Sequence, residues 1–208
     1  MAITYPLSLP VGHRNASQIV IRGNTVTAQS ESPYNYIEQV QVFPGQRWTA
    51  TITLPPMKRV DADAWTAFLL SLNGKEGTFL MGDPASTTPK GVATGTPLSN
   101  GVAAASQNQL PIDGCTINTT GWMKAGDYIH LVLGGKYRLH MLLQDVDTNG
   151  SGQTTLTLWP KLREAVPDNT PIVVTNTLGQ WRLGQSFTER TIDVGSNYSQ
   201  SFTCVEAL

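Results

Sequence analysis

The sequence predicts a mainly β protein with one α-helix, into which a small β-barrel is inserted. Three observations carry this expectation. The stretch "QRWTATITL" alternates strictly, with Trp48, Ala50, Ile52 and Leu54 on one side and Arg47, Thr49, Thr51 and Thr53 on the other; period two with one apolar face is the pattern of a half-buried antiparallel strand. The stretch "LPPMKRVDADAWTAFLLSLNG" repeats its apolar residues at three and four positions, the pattern of an amphipathic helix. Between Gly82 and Asn100 the composition changes to Pro, Gly, Thr and Ser without periodicity, which marks an extended crossover and a domain boundary.

The elements follow in order. "SQIVIRGNTVTAQ" predicts two short strands around Gly23-Asn24, residues that accept the positive φ of a tight hairpin, and Pro44-Gly45 is expected to separate the next two strands. Pro55-Pro56 ends the last of these, because proline cannot donate to a ladder. The helix then begins, with Asp61 and Asp63 opposing the positive end of its dipole and Asn73-Gly74 suited to a left-handed cap. Val60, Ala64, Ala67, Phe68, Ser71 and Leu72 form the expected stripe, which Trp65 and Leu69 widen. Such a face must lie on a sheet.

Beyond the crossover, strands separated by Gly134-Gly135 and by "DTNGSG" suggest a small Greek-key barrel of five or six strands. A three-residue loop at Gly134-Gly135 would set Ile129, Leu131 and Leu133 opposite Tyr137, Leu139 and Met141. The tail adds two strands around "DVGSN", with Tyr198, Phe202 and Cys204 on one face. A two-stranded ribbon is marginal alone, so these strands are expected to complete the sheet begun near the N-terminus. The division is therefore residues 1–82 with 181–208 as one domain and residues 83–180 as an insertion.

Composition narrows the function. Among 208 residues 14% are charged, below the roughly 25% of an average soluble domain, so much of the surface is neutral, which points to self-association or is simply that of a β-rich protein. Net charge is −1, with no run of Lys or Arg, which argues against nucleic-acid binding as the main task. No signal-like segment and no run of about 18 apolar residues is found, so neither standard secretion nor membrane spanning is expected. Cys115 and Cys204 lack metal-ligand spacing and fit two buried thiols in a reducing compartment.

Candidate chemistry is sparse. "DVDTNG", with Asp145, Asp147, Asn149 and Gly150, copies the first half of a calcium loop, but Leu156 stands where a bidentate Glu is needed; a hairpin turn is the better reading. His130 and His140 are placed opposite each other on the polar face of a hairpin, as a solvated pair or two ligands short of a third. His13 stands alone in a polar loop. Trp122, Tyr128 and Trp159 could stack on a sugar or fill a core. Asp61, Asp63 and Glu189 are explained by the helix dipole and a strand surface. No nucleophile with a base and no phosphate cradle can be assembled, so no enzyme is expected and no residue is assigned a catalytic, cofactor-binding or metal-binding role.

The phrases "YPLSLP", "LPPM", "WTAFLLSLNGKEGTFLMGDP", "AGDYIHL", "DVDTNGSGQTTLTLWPKLR", "NTPIVVTN" and "SFTCVEAL", in that order, resemble the distal tail proteins of long-tailed, non-contractile bacteriophages. The resemblance implies a belt domain of β-sandwich plus one helix and an inserted barrel, OB-like or galectin-like, projecting outward. It implies a structural virion protein, assembled in the host cytoplasm, six copies of which ring the distal end of the tail tube. Its partners would be further copies of itself, the tail tube protein, a tail-tip hub protein and a tail fibre or receptor-binding protein, with no cofactor, no membrane and no sequence-specific nucleic acid. The alternative is a carbohydrate-binding adhesion module acting through the inserted barrel. A conduit for DNA needs a wall that does not grip phosphates, so Arg22, Arg47 and Lys58 are expected not to converge on the lumen of such a ring.

Overall fold

A computed structural model describes residues 3–10 and 15–208. The chain is mainly β, with one helix. In order it forms β1 (Leu7–Ser8), β2 (Gln18–Glu31), β3 (Glu38–Thr53), α1 (Arg59–Ser71) and β4 (Phe79–Met81), then β5 (Gly95–Ser99), β6 (Gln109–Cys115), β7 (Tyr128–Leu133), β8 (Lys136–Leu142), β9 (Thr154–Trp159) and β10 (Ile172–Val173), and lastly β11 (Gly179–Leu183), β12 (Thr191–Ile192), β13 (Tyr198–Ser199) and β14 (Ser201–Glu206). One six-stranded sheet has the order β1-β4-β11-β14-β3-β2, the other the order β10-β7-β8-β9-β6-β5, and β12 pairs with β13 alone. Every strand between Met81 and Gly179 enters the second sheet. The division expected at 82/83 lies in the turn after β4, whereas 180/181 lies inside β11, whose Gly179 and Gln180 pair with Met81 and Leu80.

The alternation that predicted β3 holds over its second half: Trp48, Ala50, Ile52 and Leu54 are buried, while Thr49, Thr51 and Thr53 are half-exposed. The C-terminal strand β14 inserts between β3 and β11, pairing Phe202 with Ile52 and Cys204 with Ala50. The last strand of the tail thus completes the sheet and buries Phe202 and Cys204 on the face that carries Trp48 and Ile52, whereas the other strand expected there, Thr191–Ile192, pairs only with Tyr198–Ser199 and stays outside the sheet.

The helix lies on that face but turned from its expected orientation. Ala62, Trp65, Phe68, Leu69 and Leu72 are buried, whereas Val60 is 78% exposed and Ala67 faces solvent. The largest rings decide the rotation: Trp65 meets Phe202 at 6.3 Å and Phe68 meets Phe79 edge-on at 5.7 Å, so seating two aromatics outweighs Val60 and two alanines. The cap is as expected, with Asn73 and Gly74 at φ 48° and 64° and the Gly77 amide donating to the Leu72 carbonyl at 2.8 Å.

The two expected N-terminal turns do not occur. Strand β2 runs straight through Gly23-Asn24, and β3 runs through Pro44-Gly45, the two pairing from Gln18–Thr53 to Glu31–Glu38. The reversal falls at Ser32–Ile37, closed by the Ser32 amide on the Ile37 carbonyl at 3.0 Å and by the Tyr36 amide on the Ser32 carbonyl at 2.9 Å. Gly23 serves close approach instead of a turn, since a Cβ there would lie 2.6 Å from the ring of Trp159. Pro44-Gly45 is absorbed in an irregularity, where the pairing steps from Thr25–Gln46 to Thr27–Val42.

The second sheet curls into a nearly closed barrel, its first and last strands bridged at Leu98–Pro171. Leu110, Ile112, Trp122, Met123, Ile129, Leu131 and Leu156 fill it. Gly134 and Gly135, at φ 53° and 77°, make a two-residue turn that pairs Leu133 with Lys136. The expected three-residue loop is therefore one residue too long, and the slip changes every partner: Ile129 pairs with His140 and Leu131 with Arg138, while Leu139 pairs with His130.

The barrel rests on the Trp48 end of the first sheet. Trp159 meets Trp48 edge-on at 4.4 Å, Tyr128 lies 6.1 Å from the same ring, and the Trp48 indole N–H donates to the Leu139 carbonyl at 3.0 Å. Around these rings Arg163 pairs with buried Glu206 at 2.7 Å, and Arg138 donates to the Ala207 carbonyl at 2.9 Å. Tyr128 and Leu139, though barrel residues, belong to the core of the first sheet.

Candidate interface for assembly

Past Trp48 the β2–β3 hairpin leaves the body of the protein. From Arg22 to Glu31 and from Glu38 to Gly45 every residue is exposed, including Val40 at 56% and Val42 at 66%, and the turn adds Tyr34 at 95% and Ile37 at 68%. Paired residues of an antiparallel ladder point to one side. The register therefore places Val42 beside Thr27, Val40 beside Gln29 and Glu31 beside Glu38 on a single face, with Ala28, Gln41, Ser30 and Gln39 on the other. Two valines and two directly opposed carboxylates share that face. No described residue forms an ion pair with either glutamate. Strand β2 is also the edge of its sheet, 14 residues long without Pro or Lys, and its defences against strand addition are confined to the irregularity at Thr25–Thr27 and the charges of Arg22 and Glu31.

The second surface is the polar face of the first sheet. Register aligns Arg182, Val205, Thr49 and Arg22 in a row across four strands, and Arg47, paired with Asn24, stands in the next row beside Arg22. Thr51, Thr53, Ser201 and Thr203 continue the face. Arg22 donates to the Thr51 hydroxyl at 2.9 Å and Asn24 to the Thr49 hydroxyl at 3.0 Å, so hydroxyls and not carboxylates receive these donors. Arg22 and Arg47 therefore share one side of the sheet. Period two brings them to one side of adjoining strands, while Lys58 lies at the helix N-terminus and donates to Asn197 at 2.8 Å.

The chemical candidates are used structurally. Asp145 accepts from the Ala125 amide at 2.8 Å and from Lys124 at 3.0 Å, and these bonds, the amide first, lower its pKa. Asp147 accepts from the Gly121 amide at 2.6 Å, and Asn149 from the Ser151 and Gln153 amides at 2.9 Å each. The half-loop is a turn whose oxygens are turned onto neighbouring amides. His130 and His140 are buried and one register position apart, not a solvated opposed pair; burial pushes each imidazole down to about 4. Nδ1 of His140 lies 2.7 Å from the Pro160 carbonyl, and Nδ1 of His130 accepts from the Leu178 amide at 3.2 Å. Among the described residues no three His, Cys, Asp or Glu gather as a metal site. His13 lies outside the described residues.

Trp122 is wholly buried, and Tyr128 and Trp159 are taken up against Trp48, so the three rings present no common stacking surface. Asp63 pairs with Arg59 and Arg190, both at 3.1 Å. Both thiols are free and buried, with burial pushing Cys115 up to about 11 and Cys204 to about 12. A cavity of about 440 Å³, lined by Leu9, Ile19, Ile52, Trp65, Met81 and Leu178 among others, opens where Pro10 and Asn15 flank the residues not described. No helix among the described residues is long and apolar enough to cross a membrane. The sequence matches no known family description and no curated protein.

What sequence reasoning missed is the exposed arm itself. Its signal was present: "TVTAQSESPYNYIEQVQVF" has no turn pair before Glu31-Ser32-Pro33 and keeps apolar residues at the alternate positions Val40 and Val42.

Proposed function

We propose that this protein is a structural component of a phage tail, a belt domain and an inserted barrel assembled as a ring of six copies at the distal end of the tail tube, joining it to tail-tip and host-recognition proteins. The observation that carries the proposal is the exposed arm from Asn24 to Gly45. A two-stranded ribbon with valines and tyrosines in water is marginal by itself and becomes stable when a partner covers it. The second support is the resemblance of the ordered phrases from "YPLSLP" to "SFTCVEAL" to distal tail proteins. The role is mechanical, and the candidate catalytic and ligand-stacking groups are absorbed in turns and cores.

In this reading the barrel stands on the ring as a fixed platform, because aromatic rings, an ion pair and side-chain hydrogen bonds to backbone carbonyls hold it to the first sheet. Light scattering on the purified chain is expected to give six times its 22.5 kDa, with rings in negative-stain images. A monomer at every concentration, with no ring in the presence of tail tube protein, would refute the proposal.

A further inference from the structure

We infer that the arm of one copy clasps the arginine face of a second copy, its Glu31 and Glu38 seated among Arg22, Arg47 and Arg182. This rests on the proposed self-assembly and specifies its contact. The arm from Asn24 to Gly45 carries two carboxylates and no cation; the polar face of the sheet carries three arginines and no carboxylate. Each surface has what the other lacks.

The arm also explains its own arrangement this way. Like charges directly opposed on a ladder destabilise it, and Glu31 faces Glu38 with no described counter-ion. Two guanidiniums, each offering forked donors, turn that repulsion into bidentate pairing. On the same face of the arm Val40 and Val42 meet the threonine methyls and Val205 of the sheet, so apolar area is covered in the same step. The contact joins two different surfaces, an arm and a sheet face, so it is heterologous and builds rings or filaments in preference to isolated pairs.

Charge reversal tests the clasp on the full chain. Glu31→Lys with Glu38→Lys, and separately Arg22→Glu with Arg47→Glu, are each expected to raise the concentration for half-assembly by about tenfold or more in light scattering. The four changes combined in one chain are expected to restore assembly. All positions are exposed, and circular dichroism confirms that each variant is folded. If rings form and neither reversal shifts their mass, the clasp is wrong while the ring reading stands. If both reversals weaken assembly but the combination does not rescue it, the two surfaces do not meet and the inference also fails. If the wild-type chain stays a monomer, the arm belongs to a different partner and both readings fall.

Discussion

The two halves of β3 are one continuous strand with opposite fates. From Trp48 to Thr53 it lies between β14 and β2, under the chain's own tail, helix and barrel; from Glu38 to Gly45 it has a single neighbour, β2, and is exposed. Composition separates them. Trp48, Ala50 and Ile52 supply a face that aromatic rings from three directions can cover, whereas Val40, Val42 and the two glutamates supply a face for which this chain has no cover. The contrast shows how one element can be pinned by its own fold at one end and left exposed at the other.

Acid is the harshest probe of the pinned half. His130 and His140 are held neutral at about 4, below the ordinary 6.5, chiefly by burial. The unfolded chain takes up protons first, so stability present above pH 6.5 is lost as the pH falls toward 4, by on the order of 3 kcal/mol for each imidazole. Urea titrations at pH 7.5 and pH 4.5 measure this; equal midpoints would mean that neither ring is buried. The arm carries no histidine, so its order should not follow this titration.

Next comes the anchor. Trp48→Ala removes the ring that meets Trp159 and Tyr128 and the indole bond to Leu139, and is expected to cost about 3 to 5 kcal/mol in chemical denaturation. Phe68→Ala, under the helix, belongs in the same range, since it is buried against Phe79 and Trp65. Gly23→Ala drives a methyl to 2.6 Å from the Trp159 ring and should cost about 1 to 3 kcal/mol, a loss that Trp159→Leu relieves in a double-mutant cycle.

The smallest effect sharpens the contrast most. Val42→Ala, in the same strand as Trp48, should change the stability of the dissociated chain by less than about 0.5 kcal/mol while weakening assembly. A loss of stability comparable to that of Trp48→Ala would show that the arm packs on its own chain. The thiols complete the series: Cys115 and Cys204 should resist an aromatic disulfide reagent until the protein unfolds, because burial keeps both protonated.

The sequence by itself determined the elements whose causes are local. Period two fixed the Trp48–Leu54 face, Pro55-Pro56 ended that strand, and Asn73-Gly74 capped the helix, because each depends on the conformational limits of residues adjacent in the chain. The crossover directly after Gly82, the return of the last strand to the first sheet and the turn nature of "DVDTNG" were legible for the same reason, but the strand Gly95–Ser99 at the end of that crossover and the separate ribbon of β12 and β13 were not. Only the tertiary structure decided the rest. Gly23 looks like a turn residue until Trp159, far along the chain, is seen to occupy the space a side chain would need. The helix chose its rotation from Phe79 and Phe202, and the two-residue turn at Gly134-Gly135 moved His140 into the barrel. The meeting of Arg22 and Arg47 with Arg182 needed the order of four strands, which no local pattern encodes, since a strand's alternation states that it has two faces and leaves its neighbours to the rest of the chain.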